Sequence, residues 1–231
     1  SSATVSESRF PKIDDEDALA MATPLRFDAA DGSRLEGLLF GTGDVGVVLA
    51  HMLQGDQTQW LEFAAFLATE GYRVLTFNSR GTCPGGQNGC SRGTGSADDW
   101  QDLQPAVDVV RAAGSSRVVV GGASIGAMKS LYALGRGLDA DGLIWVSGFD
   151  FYGLVPVRRQ VRDVTVPKLF IAGEYDTDAA ALLPVFERVA PDPKLIVSLD
   201  TGEHGTDIVR FADPAVADQL RGAVLDFLED I

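Results

Sequence analysis

From about residue 25 to its end, the chain alternates short apolar runs with segments of helical period. Leu25-Arg26-Phe27 and Leu35 to Phe40 flank Asp31-Gly32, which predicts an antiparallel hairpin. Val45-Gly46-Val47-Val48-Leu49-Ala50 and Val118-Val119-Val120 are unbroken apolar stretches, the pattern of strands covered on both faces. Tyr72 to Phe77, Gly142 to Val146, Lys168 to Ala172 and Lys194 to Leu199 are read as further strands. Between them, Trp60, Leu61, Phe63, Ala64 and Leu67 fall at helical spacing, with Gly71 as the stop. Trp100, Leu103, Val107 and Val110 predict an amphipathic helix with Asp98 and Asp99 near its start and a kink at Pro105. Further helices are expected from Ile125 to Leu134, between the last two strands, and from Ala215 to Leu228.

Strands separated by helices imply an α/β fold, with a mostly parallel sheet covered on both faces and the hairpin adding antiparallel strands at one edge. Residues 23–231 are read as one domain. Residues 1–22 are polar and acidic and read as a tail or a strap across the surface, without the basic start and apolar stretch of a signal peptide. No apolar run approaches the ~18 residues a membrane-spanning helix needs.

The 19 basic and 33 acidic residues leave a formal charge of −14. So acidic a surface repels phosphate backbones and anionic headgroups, so nucleic acid is not an expected partner; a monomer or weak homodimer is. Cys83 and Cys90 share the glycine-rich segment Thr82-Cys83-Pro84-Gly85-Gly86-Gln87-Asn88-Gly89-Cys90. Their spacing suits a disulfide, hence a secreted or periplasmic setting; two reduced thiols in one loop are the alternative. Two thiols with no nearby histidine would leave a zinc site half built, so no metal is expected.

Candidate chemistry centres on Gly122-Ala123-Ser124-Ile125-Gly126. As a string this means little in a chain with 26 glycines, but it lies between an apolar strand and a helix. A strand-turn-helix elbow there would expose Ser124 at the sheet's edge and aim the Ile125 N–H at a reacting carbonyl oxygen. A serine hydroxyl needs a base, and the chain has two histidines, His51 and His204. His204 follows the last predicted strand and suits that role; His51 closes the Val45–Ala50 strand. The base in turn needs an acid. Asp176, just past the Lys168–Ala172 strand, is preferred over Asp178 and Asp150. No organic cofactor is required by this scheme.

The hairpin, the turn at His51, Ser79-Arg80-Gly81, Gly122-Ala123-Ser124-Ile125-Gly126, Gly173-Glu174-Tyr175-Asp176 and Gly202-Glu203-His204-Gly205 together resemble the α/β-hydrolase superfamily. The compact spacing of Ser124, Asp176 and His204 is similar to that of dienelactone-hydrolase-like and small serine esterase members without a large cap. That resemblance implies a Ser-His-Asp triad acting through an acyl-enzyme on a small-molecule ester, with thioesters and peptides as alternatives. Family members place His-Gly-x where this chain has His51-Met52-Leu53, so Met52 or Leu53 would supply the second oxyanion N–H. By position the resemblance favours Leu53. The serine argues against the activity of dienelactone hydrolases proper, which carry a cysteine. Phe149, Phe151, Tyr152 and Tyr175 follow strand ends and are candidates to line an acyl pocket, or else pack under loops. Arg158, Arg159 and Arg162 offer contacts to a substrate carboxylate, or are solvated surface charges. A non-catalytic binding protein on the same scaffold is the competing class.

Overall fold

A computed structural model describes residues 8–82, 91 and 99–231. Cys83 and Cys90 lie outside the described residues. In chain order the elements are α1 (Asp15–Met21), β1 (Thr23–Asp28), β2 (Arg34–Phe40), β3 (Val45–Ala50), α2 (Leu61–Thr69) and β4 (Arg73–Phe77). They continue with α3 (Leu103–Ala112), β5 (Arg117–Ala123), α4 (Ile125–Leu134), β6 (Gly142–Val146), β7 (Phe151–Tyr152), β8 (Val155–Pro156) and α5 (Val157–Gln160). The chain closes with β9 (Lys168–Gly173), α6 (Thr177–Ala180), α7 (Leu183–Val189), β10 (Lys194–Leu199), α8 (Asp207–Phe211) and α9 (Pro214–Glu229).

The main sheet runs β1-β2-β4-β3-β5-β6-β9-β10. The first two strands form the predicted hairpin, β2 joins β4 antiparallel, and every later pairing is parallel. Alternation along the strands divides the core in two. Val48, Val118, Val120 and Phe170 face α3, α4 and α7 on one side. Val47, Leu49, Val119, Leu169 and Ile171 face α2, α8 and α9 on the other. A strand that packs into both layers favours apolar residues, which is why these strands read as near-continuous apolar runs; buried Lys168, at the start of β9, donates to Pro191 O at 2.8 Å.

Some element bounds depart from the sequence reading. Within residues 1–22, Asp14 caps α1 by accepting from the Asp17 N–H at 2.9 Å, and Ala18 is fully buried in the layer that contains α2. Ahead of it, Phe10 meets Phe66 edge-on with 4.9 Å between ring centroids. The described part is thus fastened to the domain by one short helix and the Phe10–Phe66 contact. α3 starts at Leu103, after a 3₁₀ turn over Asp99–Asp102. Pro105 consequently falls in the first turn, where a missing N–H leaves no intrahelical bond unmade, and gives no reason for a kink. The small β7–β8 hairpin, with two residues a side, is too short to leave a periodic signal.

Candidate active site

The strand ends are in register at one edge of the sheet. Ala50 pairs with Gly122 and Ala123 with Val146, so the loops after β3, β5 and β6 open side by side. Ser124 sits on that edge at φ 53°, ψ −119°, outside the regions a non-glycine residue ordinarily occupies. The turn is held by the Ser124 N–H donating to Val146 O at 2.9 Å and by the Met128 N–H donating to Ser124 O at 3.2 Å. Its side chain does not cap α4.

Both flanking glycines are required by packing. A Cβ on Gly122 would lie 2.5 Å from the Gly126 carbonyl carbon and 2.7 Å from Ala50 O. A Cβ on Gly126 would lie 2.3 Å from Ala50 O and 2.8 Å from His51 O. These are backbone atoms, so nothing flexible could yield, and strand, elbow and helix touch directly.

Two more glycines gather the remaining loops. A Cβ on Gly173 would meet Thr201 O at 2.5 Å, so the turn after β9 lies against the loop after β10. The Tyr175 N–H donates to Thr201 O at 3.1 Å across the same junction. Gly205, at φ +59°, lies where a Cβ would be 2.4 Å from Met52 Sδ and 3.0 Å from Ala123 Cβ. The residue after His204 thus rests on the residue before Ser124.

Within this frame His204 Nδ1 stands 2.8 Å from Asp176 Oδ2, with the carboxylate side chain 11% exposed. Nε2 is left as the ring nitrogen for a partner on the Ser124 side. No hydrogen bond joins Ser124 to His204 among the described residues, a separation that commonly closes only when substrate is bound. The alternative acids are placed elsewhere: Asp150 pairs with Arg158 at 2.7 Å, and Asp178 is exposed in the first turn of α6.

The two oxyanion candidates after β3 differ. The Met52 N–H donates to Gln59 Oε1 at 3.1 Å, whereas the Leu53 N–H has no partner among the described residues. His51 is buried behind them. Its Nε2 accepts from the Ser79 N–H at 3.1 Å, so Nδ1 carries the proton and donates to Met52 O at 2.7 Å. Burial, with the Lys129 charge adding to it, holds the imidazole below its ordinary pKa and keeps it neutral, against the opposing pull of the Met52 carbonyl. His51 therefore shapes the loop and is not available as a base.

Of the proposed pocket residues, Tyr152 is buried, lies with its ring tilted 55° and 5.0 Å from the Tyr132 ring centroid, and donates to Asp99 Oδ1 at 2.9 Å. Phe149 is partly buried against the core, while Phe151 and Tyr175 are 49% and 62% exposed. Arg158, Arg159 and Arg162 are exposed. Below the elbow, Lys129 on α4 forms a buried ion pair with Asp99 at 2.8 Å and donates to Ser79 Oγ at 3.2 Å. Neither this pair nor Gln59 was singled out from the sequence. A lysine on a helix and a glutamine in a run of glutamines look like surface positions.

No family model matches the chain. It is 28% identical over 243 residues, 90% of this chain and 80% of the other, to the uncharacterized protein YfhR of Escherichia coli strain K12. Among solved structures it superposes on the Pyrococcus furiosus esterase Pf2001 with a TM-score of 0.76 at 17% identity, covering 97% and 98% of the two chains. DcsB, solved with its substrate analogue, gives 0.75 at 13% identity over 90% and 99%. The Pyrococcus horikoshii acylaminoacyl peptidase gives 0.69 at 15% identity, with the match covering 90% of this chain and 41% of that one. Likeness this distant in sequence and this complete in backbone speaks to architecture: the chain has the α/β-hydrolase fold.

Proposed function

We propose that the chain is a serine hydrolase that cleaves carboxylic esters of small to medium acyl groups. Ser124 would attack the carbonyl, His204 would take its proton and return it to the leaving alcohol, and water would release the acyl-enzyme by the same route. Asp176 would fix the imidazole with Nδ1 protonated and stabilise the imidazolium. The N–H groups of Ile125 and Leu53 would receive the oxyanion. The Met52 N–H is already committed to Gln59, which supports Leu53 as the second donor. The observation that carries the reading is the His204–Asp176 contact of 2.8 Å on a loop whose next residue packs against Ala123. The strained φ of Ser124 supports it independently, since a serine held in that conformation has no folding advantage.

The test is a fluorophosphonate probe with peptide mapping, together with hydrolysis of p-nitrophenyl esters from acetate to dodecanoate. Labelling at Ser124, and loss of both labelling and turnover in Ser124→Ala, is expected. A folded protein that is unlabelled and inactive on every ester would make it a binding protein on a hydrolase scaffold. Faster cleavage of short peptides than of any ester would move the reading to a peptidase.

A further inference from the structure

The turn after β3 carries a bulky residue, Met52, yet its peptide groups are held in one orientation. His51 O lies against the start of α4, 2.8 Å from where a Cβ on Gly126 would be. On the other side of that same peptide, the Met52 N–H points to Gln59 Oε1. The next peptide has its carbonyl turned to His51 Nδ1 and to the Gly55 N–H at 3.3 Å, so its own N–H, that of Leu53, faces the opposite way. Gln54 completes the reversal at φ 59°.

Gln59 reaches this turn from the 3₁₀ turn Gln57–Trp60, whose first N–H groups Asp56 organises by accepting from the Thr58 N–H at 2.7 Å. The Gln59 amide lies flat on Gly55. A Cβ there would be 2.3 Å from its Cδ, Nε2 and Oε1 alike. Gly55 has no positive φ to explain it, so its lack of a side chain is accounted for by the space Gln59 occupies.

The geometry points to Gln59 as a positioning residue for the oxyanion site: by accepting the Met52 N–H it fixes the 51–52 peptide, and through it the direction of the Leu53 N–H. Gln59 does not touch the reacting atoms. It acts on a donor that is needed most when charge develops on the carbonyl oxygen, so its effect belongs in kcat rather than in KM. The inference rests on the hydrolase reading given above.

Three variants of the full chain test it. Gln59→Leu keeps the bulk and removes the acceptor; Gln59→Glu keeps the acceptor. Gly55→Ala leaves Gln59 intact but pushes its amide away, which a flexible side chain allows without unfolding. In Gln59→Leu and Gly55→Ala, kcat on a p-nitrophenyl ester should fall about tenfold or more with KM within about twofold. Affinity for a trifluoromethyl ketone should fall by the same factor as kcat, because the bound adduct carries the oxyanion. Gln59→Glu should recover most of the loss. Unchanged kcat in both Gln59→Leu and Gly55→Ala overturns the assignment, as does a loss confined to KM or a Gln59→Glu variant as slow as Gln59→Leu. If Gln59→Leu does not fold, Gly55→Ala and Gln59→Glu decide it alone. Fluorophosphonate labelling of the unaltered chain separates the two levels: labelled and active protein with normal variants sinks Gln59 only, whereas unlabelled, inactive protein sinks the hydrolase reading and Gln59 with it.

Discussion

Gly205 joins the His204 loop to the elbow, and replacing it with alanine should damage stability and turnover together. Two costs combine. At φ +59° an L-residue is disfavoured by roughly 1–2 kcal/mol. The new methyl would also sit 2.4 Å from Met52 Sδ and 3.0 Å from Ala123 Cβ. Ordinary carbon contacts are about 3.5–4.0 Å, so something of the order of 1 Å must be found by displacement. Overpacking of that kind typically costs about 1–3 kcal/mol. Gly32, in the β1–β2 turn, is the control: it has φ +81° and nothing within 4 Å of its Cβ position, so Gly32→Ala carries the backbone term alone. Gly205→Ala should therefore unfold at lower urea than Gly32→Ala by about 1–3 kcal/mol, equivalent to roughly 2–4 °C of melting temperature per kcal/mol in a chain of this size. The Ala123 contact ties the strain to the elbow, and the 204–205 turn carries the proposed base, so that turn is expected to shift. A fall in kcat of about 10–100-fold is expected for Gly205→Ala and none for Gly32→Ala, read from p-nitrophenyl ester hydrolysis normalised to titratable Ser124. If the two variants match in both stability and kcat, the close approach of Gly205 to Met52 and Ala123 is wrong, and with it the account of how the base reaches the elbow.

Asp176→Asn should leave the fold intact and lower kcat by about 10³–10⁴-fold, because an amide favours the wrong tautomer of His204; Asp178→Asn and Asp150→Asn, measured in parallel, should stay within about twofold. Breaking the Lys129–Asp99 pair from one side, as in Lys129→Met, leaves the largely buried Asp99 carboxylate with the Tyr152 hydroxyl but without its cation, and should cost about 3 kcal/mol in urea unfolding. The double variant with Asp99→Asn should recover part of that cost, and a purely additive result would show that the two groups are not coupled. His51 is held below its ordinary pKa in the folded chain, so below about pH 6.5 the unfolded chain binds the extra proton first. Its contribution to stability is present above that pH and is lost as pH falls towards the folded value. Urea midpoints between neutral pH and about pH 5 should therefore decline, and His51→Asn, which keeps a donor for Met52 O, should flatten that slope; an unchanged slope refutes the lowered pKa of buried His51 as its source.

The architecture was legible because strands buried on both faces cannot hide: past Arg117 and Lys168 at their first positions, β5 and β9 are as free of polar side chains as β3 and β6. The elbow was legible for the same reason, since strand, small residues and helix follow one another in sequence. What failed to show was anything that depends on two distant segments meeting. Asp176, Asp178 and Asp150 all follow strand ends, and only the contact of Gly173 with Thr201 brings the first of them to His204. Gln54, Gln57 and Gln59 are indistinguishable as letters. In the fold Gln54 is exposed at a reversed φ, buried Gln57 accepts from Thr76 Oγ1 at 3.3 Å, and Gln59 holds Met52. α1 was missed because seven residues, the first three acidic, carry little helical period, and its stability comes from Asp14 and from the face that buries Ala18.

The backbone at Ser124 has a consequence for how this chain balances folding against chemistry. Glycine would adopt φ 53°, ψ −119° without strain, so a Ser124→Gly chain should melt later than the original while having no nucleophile at all. If Ser124 is the nucleophile proposed above, the most stable sequence and the working sequence differ at that one residue. Directed selection for thermal tolerance alone, with no turnover required, should drift towards glycine there, and the elbow would persist as a well-made turn with nothing left to do.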